Sequence, residues 1–284
     1  MRAPLVFLHI PKTAGIAISS ALLTAERPSR VFFGFDLAFF GGFSDFPSVP
    51  AENRAYIHLT PDSIPRDETF VRAHMALSTL RVAYPSGRFM VMLREPVCRV
   101  LSHFMFWRGF TAEQDRGWGG WAARSGLARG SLEAFLEAPD VACQIDNVAT
   151  RLLLWPHKAI PANGMIAPAD DAALIEAAEA RLAGLDFVDF VENTEIFANL
   201  AGWLGADIGA PARLNESGGM PEGLRVCLDS ELTARACASL AARSRLDLAL
   251  WEAVVRRRGG EVGAVRGAAL AKGVARVARL LEGA

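Results

Sequence analysis

The chain has 284 residues, 51% of them hydrophobic and 21% charged. This balance excludes a disordered chain and allows a large core without disulfide or metal staples. Thirty basic against 31 acidic side chains leave a net charge of −1, which excludes a broad electrostatic footprint for nucleic acid and disfavours a long polyanionic substrate.

The first element is the apolar run Leu5-Val6-Phe7-Leu8-His9-Ile10, rich in strand formers and stopped by Pro11. It reads as a buried strand of a parallel sheet. Lacking a secretory pattern, the N-terminus points to a cytoplasmic protein. Thr13-Ala14-Gly15 reads as a tight loop and residues 16–25 as a helix. The stretch 13–25 is also the longest without a charge, too short for a membrane-spanning helix. Residues 31–46 hold seven of the 17 phenylalanines, interleaved with glycine, and yield no element. Phe32, Phe33, Phe35, Phe39, Phe40, Phe43 and Phe46 read as core packing or as the lining of an apolar ligand pocket.

Residues 70–74 read as an extended strand end. Arg88-Phe89-Met90-Val91-Met92-Leu93 is a second buried strand, followed by the turn Arg94-Glu95-Pro96 and a helix over 97–108, with Pro96 at its first position. Helices are expected over 131–136 with Ser131 as cap, over 144–154, over 170–182 and over 230–250. A third strand spans 187–191, before a helix over 196–204; residues 210–225, rich in Gly, Pro and Asn, read as a loop. Strands alternating with helices predict a parallel α/β sheet with right-handed crossovers. The expected organisation is one domain over 1–260 and a helical tail over 261–284. That tail reads as a helix docked on the body or, less well, as a membrane-surface helix. Cys98, Cys143, Cys227 and Cys237 form no CxxC pair and have no zinc spacing with histidine; they read as buried thiols in a reducing compartment, and no metal is expected.

Two places carry chemistry. The loop His9-Ile10-Pro11-Lys12-Thr13-Ala14-Gly15 joins a strand to a helix N-terminus, where free N–H groups and the helix dipole bind phosphate. Lys12 is one of only three lysines among 30 basic residues. It supplies a charge, Thr13 a hydroxyl, and Gly15 a close backbone approach. The loop is not a Walker A motif, which disfavours a nucleotide kinase. Arg94 leaves the carboxyl end of a buried strand, where ligands sit in open α/β sheets. With Ser102, two helical turns on, it can hold a second phosphate; the alternative is an ion pair of Arg94 with a nearby carboxylate. Glu95 reads as a helix cap or an arginine partner, with a catalytic base as the less favoured role. His9, His58, His103 and His157 read as surface or structural histidines.

Together, His-Ile-Pro-Lys-Thr-Ala-Gly and Leu93-Arg94-Glu95-Pro96-Val97-Cys98-Arg99-Val100-Leu101-Ser102 resemble the sulfotransferase superfamily, in the bacterial and Golgi branch similar to heparan sulfate 2-O-sulfotransferases. Weaker likenesses lie in Phe70-Val71-Arg72-Ala73-His74, in Asp146-Asn147-Val148-Ala149-Thr150-Arg151, around residues 187–196, in Leu214-Asn215-Glu216-Ser217 and in Leu246-Asp247-Leu248-Ala249-Leu250. The resemblance runs from residue 5 to about residue 255.

It implies a P-loop-NTPase-like three-layer fold, a central parallel sheet flanked by helices. It implies 3′-phosphoadenosine 5′-phosphosulfate (PAPS) as donor and 3′-phosphoadenosine 5′-phosphate (PAP) as product. Lys12, Thr13, Ala14, Gly15 and Ile16 would hold the 5′-phosphosulfate, Arg94 and Ser102 the 3′-phosphate. Lys12 would also stabilise the transferred group, and His74 would be the general base; the alternative for His74 is a histidine packed on the sheet and bonded to backbone. Most members carry Thr-Ser where this chain has Ile16 and Ala17, which removes a hydrogen bond to phosphate worth about 1.5–3 kcal/mol.

The expected activity is sulfuryl transfer to a hydroxyl of a small-molecule, lipid or carbohydrate acceptor, with no metal and no nucleic-acid partner. A non-catalytic PAP- or nucleotide-binding protein on the same fold is the alternative. The sequence leaves the acceptor and the oligomeric state open.

Overall fold

The computed structural model describes residues 3–208 and 220–283. Strands β1 (Leu5–Leu8), β2 (Val31–Phe35), β3 (Phe70–His74), β4 (Arg88–Leu93) and β5 (Phe187–Phe190) form one all-parallel sheet in the order β2-β3-β1-β4-β5. The register sets Leu5 against Phe70 and Arg88, and Phe35 against His74. The longer helices are α1 (Gly15–Glu26), α2 (Leu77–Ala83), α3 (Pro96–Arg108), α4 (Val148–Leu154), α5 (Asp171–Ala183), α6 (Ile196–Leu204), α7 (Ala234–Arg257) and α8 (Val262–Glu282).

Strand alternation sends side chains to two covered faces. Leu5, Phe7, Phe70, Met90, Met92 and Phe187 pack with Ile18 and Leu22 of α1 and Leu200 of α6. Val6, Leu8, Val71, Val91, Leu93 and Phe190 pack with Leu80 of α2, Leu152 of α4, Leu182 of α5 and Trp251 of α7. The expected parallel sheet flanked by helices is therefore present. A third apolar cluster joins Phe35, Phe39 and Phe40 to Phe104 and Trp107 of α3, to Trp121 and Phe135, and to Val277 and Leu281 of α8.

Several segments depart from the sequence reading. Residues 31–46 contain a strand, β2, at the sheet edge, then a short helix (Leu37–Phe40) capped by Asp36. The Asp36 carboxylate accepts from the N–H groups of Ala38 and Ala76, both at 2.9 Å, and from Thr79 Oγ1 at 2.7 Å. Gly34 on β2 is closely surrounded: a Cβ there would lie 2.7 Å from Phe32 Cζ and 2.8 Å from Met75 Cε. Packing is the role of six of the seven phenylalanines, which are buried; Phe33 is the partly exposed one. The cysteines divide: Cys98 and Cys143 are buried as expected, whereas Cys227 and Cys237 are exposed, on the outer side of the segments around α7.

The helix expected over 144–154 is two pieces, Ala142–Ile145 and α4. Between them Asn147 takes a left-handed conformation (φ 48°), and its polar groups bind α7: its backbone N–H donates to Arg243 O at 2.7 Å and its Oδ1 accepts from Leu246 N at 2.8 Å. Asp247 on α7 returns the contact, capping α4 through the N–H groups of Ala149 and Thr150, both at 2.9 Å. The buried pair Asp146–Arg151, at 2.7 Å, locks the same corner. Thus the Asn147-to-Arg151 motif and the Asp247 motif form one structural clasp.

The helix expected over 230–250 is interrupted near its start. A short helix (Leu228–Glu231) ends before Thr233, which caps α7 by accepting from Ala236 N at 3.0 Å, and α7 runs on to Arg257. Leu214-Asn215-Glu216-Ser217 lies outside the described residues. The tail is a helix, α8, lying along α3: Cys98 Sγ donates to Ala269 O at 3.4 Å, and Arg266 pairs with Glu95 at 3.4 Å. Among the described residues no helix is long and apolar enough to cross a membrane.

Candidate functional site

β1 and β4 are neighbours whose following connections leave in opposite directions, towards β2 and towards β5. Such a divide at the carboxyl ends of parallel strands opens a crevice for ligands. The β1–α1 loop and the start of α3 meet there. Arg94 Nη1 donates to Lys12 O at 3.0 Å, joining the two motifs of the sequence.

The loop is held in an unusual shape. Lys12 (φ 70°) and Ala14 (φ 59°) are both left-handed, a conformation that costs free energy for non-glycine residues and clusters at functional sites. Thr13 is buried and its Oγ1 donates to Ile10 O at 2.8 Å, so its hydroxyl closes the loop. The N-terminus of α1 has neither a side-chain cap nor an acidic residue in its first turn, and its leading N–H groups keep their capacity for an anion. Gly15 has a second reason to be glycine: a Cβ there would overlap the His9 imidazole, which lies directly against it. Ile16 is exposed, on the outward side of this turn.

Lys12 Nζ lies 3.9 Å from the centroid of the exposed Phe106 ring, an arrangement that favours the cation. Its pKa is nonetheless pulled down to about 8, first by burial and then by repulsion from Arg94, Arg276 and Arg99. Arg94 is likewise lowered by burial, a shift opposed chiefly by the nearby Glu192. Glu192 accepts from Glu95 N at 3.0 Å and Trp251 Nε1 at 3.2 Å, bracing the turn after β4. Glu95 caps α3 through Cys98 N at 2.7 Å and pairs with Arg266, which accounts for its carboxylate structurally. Ser102 is buried on α3 and its hydroxyl makes no hydrogen bond among the described residues.

Arg99, which the sequence reading passed over, and His103, which it read as surface or structural, lie close to Lys12. Arg99 is buried, with Nη2 donating to the carbonyls of Gln144 at 3.2 Å and Ile145 at 3.4 Å, while Nε and Nη1 have no partner. Burial lowers its pKa to about 10 against the attraction of Asp247. His103 is buried with both ring nitrogens unpartnered. Unpaired buried donors cost about 1–3 kcal/mol each. Arg99 precedes Ser102 by three residues, on the same face of α3, but nothing in the sequence shows it buried without a partner.

His74 ends β3 beside this cluster. Its Nδ1 lies 2.6 Å from His9 O; the carbonyl only accepts, so Nδ1 carries the proton and Nε2 has the lone pair. The imidazole stands 4.3 Å from the His9 ring and 5.5 Å from Phe35, stacked on the latter. Burial pushes its pKa down to about 3, with Arg72 and Lys12 adding to the effect against the His9 hydrogen bond. His74 is therefore neutral near pH 7. His74 is thus packed on the sheet end and bonded to backbone.

The structure thus brings Lys12, Thr13, Ala14, Gly15, Arg94 and His74 to one end of the sheet, with Arg99 and His103 beside them. Of the four histidines read as surface or structural, His58 (bound to Ser63 O at 2.9 Å) and His157 (accepting from Ala159 N at 3.2 Å) have local partners, and His9 and His103 are buried, His9 with its ring 4.3 Å from that of His74 and His103 4.3 Å from that of Trp107. Two surface clefts lie elsewhere, around Trp155 and Pro156, and neither includes Lys12, His74, Arg94 or Arg99. Among the described residues no group of three His, Cys, Asp or Glu side chains is placed to hold a metal ion. Chemically, the arrangement can bind a dianion or two linked anions and offer a neutral imidazole nearby. In comparisons with known proteins, no family model matches the chain and no curated protein matches it.

Proposed function

We propose that the protein transfers a sulfuryl group from PAPS to an acceptor hydroxyl, on a P-loop-like α/β fold. The observation that carries this reading is the hydrogen bond from Arg94 to Lys12 O, which sets two cations, with Arg99 near enough to repel Lys12, at the loop before the uncapped N-terminus of α1. These groups suit a ligand with separated anionic groups. The uncapped turn and Lys12 would hold the 5′-phosphosulfate, and Arg94 with Ser102 the 3′-phosphate. The strand order, with the anion loop after the central β1, supports the P-loop-like part of the reading.

In the transfer, the acceptor oxygen forms a bond to sulfur as the bond from sulfur to the bridging phosphate oxygen breaks. PAP leaves with that electron pair, and the acceptor proton passes to His74 Nε2. Lys12 neutralises the charge that grows on the leaving oxygen. A bound anionic donor also counters the positive field of Arg72 and Lys12 that, with burial, keeps His74 acidic, and so raises its basicity as the complex forms.

Non-catalytic PAP binding is the second reading, favoured by exposed Ile16, which leaves the first turn of α1 without a hydroxyl at that position. Titration calorimetry with PAP, followed by turnover of sulfur-labelled PAPS on a panel of alcohols and phenols, tests both. PAP binding with label transfer supports the enzyme; PAP binding without transfer supports the second reading; absence of PAP binding overturns both.

A further inference from the structure

Arg72 has no role in the donor site, yet its position is unusual. It lies on β3 two residues before His74, and strand alternation sends both side chains to one face, about 7 Å apart along the strand. The register sets Phe33 beside Arg72 and Phe35 beside His74. The guanidinium carbon sits 4.7 Å from the Phe33 centroid, and Phe33 in turn meets the His74 ring at 5.8 Å and Tyr56 at 6.1 Å.

Among the described residues no carboxylate pairs with Arg72; burial alone perturbs it. A guanidinium stacked on a ring keeps its edge N–H groups free to fork a carboxylate. Apolar surface borders the same spot: Tyr56, whose ring adjoins Phe33, is 48% exposed. Exposed apolar residues grouped around polar anchors mark a binding surface.

Building on the sulfuryl-transfer reading, we infer that the acceptor is a planar, apolar hydroxy compound bearing a carboxylate. Arg72 holds the carboxylate, Phe33 and Tyr56 together form one apolar wall against the ring, and the hydroxyl turns to His74 Nε2. A para-hydroxyphenyl carboxylate spans a distance comparable to the ~7 Å between the two positions along the strand. The small total charge of the chain is compatible with this choice, because a single unpaired arginine serves one carboxylate and not a polyanion.

The test titrates 4-hydroxyphenylacetate and its uncharged methyl ester into the protein, with and without saturating PAP. The acid is expected to bind about tenfold to a hundredfold more tightly than the ester, the span of a charge-assisted contact. Arg72→Met should erase that preference while keeping the thermal midpoint and PAP affinity of the wild type, and Arg72→Lys should restore part of it. Equal binding of acid and ester, an unchanged preference in Arg72→Met, or no binding of either compound overturns the inference. PAP affinity, measured separately, reports on the donor reading: if PAP does not bind, that reading fails, and the acid–ester comparison on the PAP-free protein still decides the role of Arg72.

Discussion

Arg94 donates through Nη1 to the carbonyl oxygen of Lys12 at 3.0 Å, across 82 residues of sequence. One arginine therefore both shapes the anion loop and stands beside it as a cation. Arg94→Ala should lower PAP affinity and, by leaving the loop carbonyl unpaired, also lower the thermal midpoint. Adenosine 5′-phosphosulfate, which lacks the 3′-phosphate, should lose less affinity than PAP. Calorimetry with both ligands measures the difference; equal losses would confine Arg94 to shaping the loop.

Lys12 makes binding depend on pH. Its pKa near 8 means that the ligand-free protein begins to lose this charge just above neutrality. An anion favours the charged lysine, so PAP affinity should fall as pH rises through 8. Lys12→Met should bind about tenfold to a hundredfold more weakly at pH 7 and show no such fall. For stability the sign is opposite. The folded state gives up its proton near pH 8 and the unfolded chain near 10.5, so the unfolded state holds more protons between them. The Lys12 contribution to stability therefore rises from pH 8 to 10.5 and is lost as pH falls back through that window. Denaturant titrations of the wild type and Lys12→Met across this range check the slope.

Arg99 should show the signature of a residue kept for a ligand. Its Nε and Nη1 are buried without partners, and an incompletely paired buried charge is commonly neutral or unfavourable to stability. Arg99→Met, with a side chain of similar length, should leave the thermal midpoint of the ligand-free protein unchanged or raised. The rise in midpoint that PAP gives the wild type should be much smaller in the variant. A large loss of ligand-free stability would assign Arg99 to the core through its bonds to Gln144 and Ile145.

What the sequence made legible was what depends on local pattern. The buried strands β1 and β4, Pro96 opening α3 and the Ser131 cap all follow from short-range rules, as does the tight loop before α1. β2 was not legible, because Val-Phe-Phe-Gly-Phe has no clean alternation of polar and apolar residues. The break at Asn147 was hidden because its left-handed conformation is held by α7, nearly a hundred residues away. Lys12, Arg94 and His74 stood out by motif. Arg99 and His103 did not, because what marks them is burial without a partner, a property that exists only after α3 packs.

Gly15 is expected to tolerate no side chain. A Cβ would overlap the His9 ring, and that ring rests against His74. Gly15→Ala should cost about 1–3 kcal/mol, the range for overpacking a tight site, and should weaken PAP binding by moving the loop. In a His9→Ala background the obstacle is gone, so the penalty of Gly15→Ala should shrink. A double-mutant cycle read by urea unfolding measures that coupling. An unreduced penalty would place the strain in the loop backbone itself.

His74 separates chemistry from architecture most sharply. Its Nδ1 proton is committed to His9 O, and its Nε2 is the ring nitrogen left for a substrate. His74→Asn can keep a donor towards His9 O while removing that base; His74→Ala removes both. Each should lower turnover by about two to four orders of magnitude, the span of a lost acid–base group, with PAP affinity retained. The asparagine variant should also keep more of the wild-type thermal midpoint than the alanine variant. The depressed pKa adds a pH signature. The folded protein holds His74 neutral down to about pH 3, whereas the unfolded chain protonates near 6.5. The stability this contributes is complete above 6.5 and is lost as pH falls towards 3. Wild type should therefore lose stability more steeply over that window than His74→Asn. Near-normal turnover in the asparagine variant would show that another group takes the acceptor proton, whereas equal collapse of midpoint and PAP affinity in both variants would make His74 a strut of the sheet end.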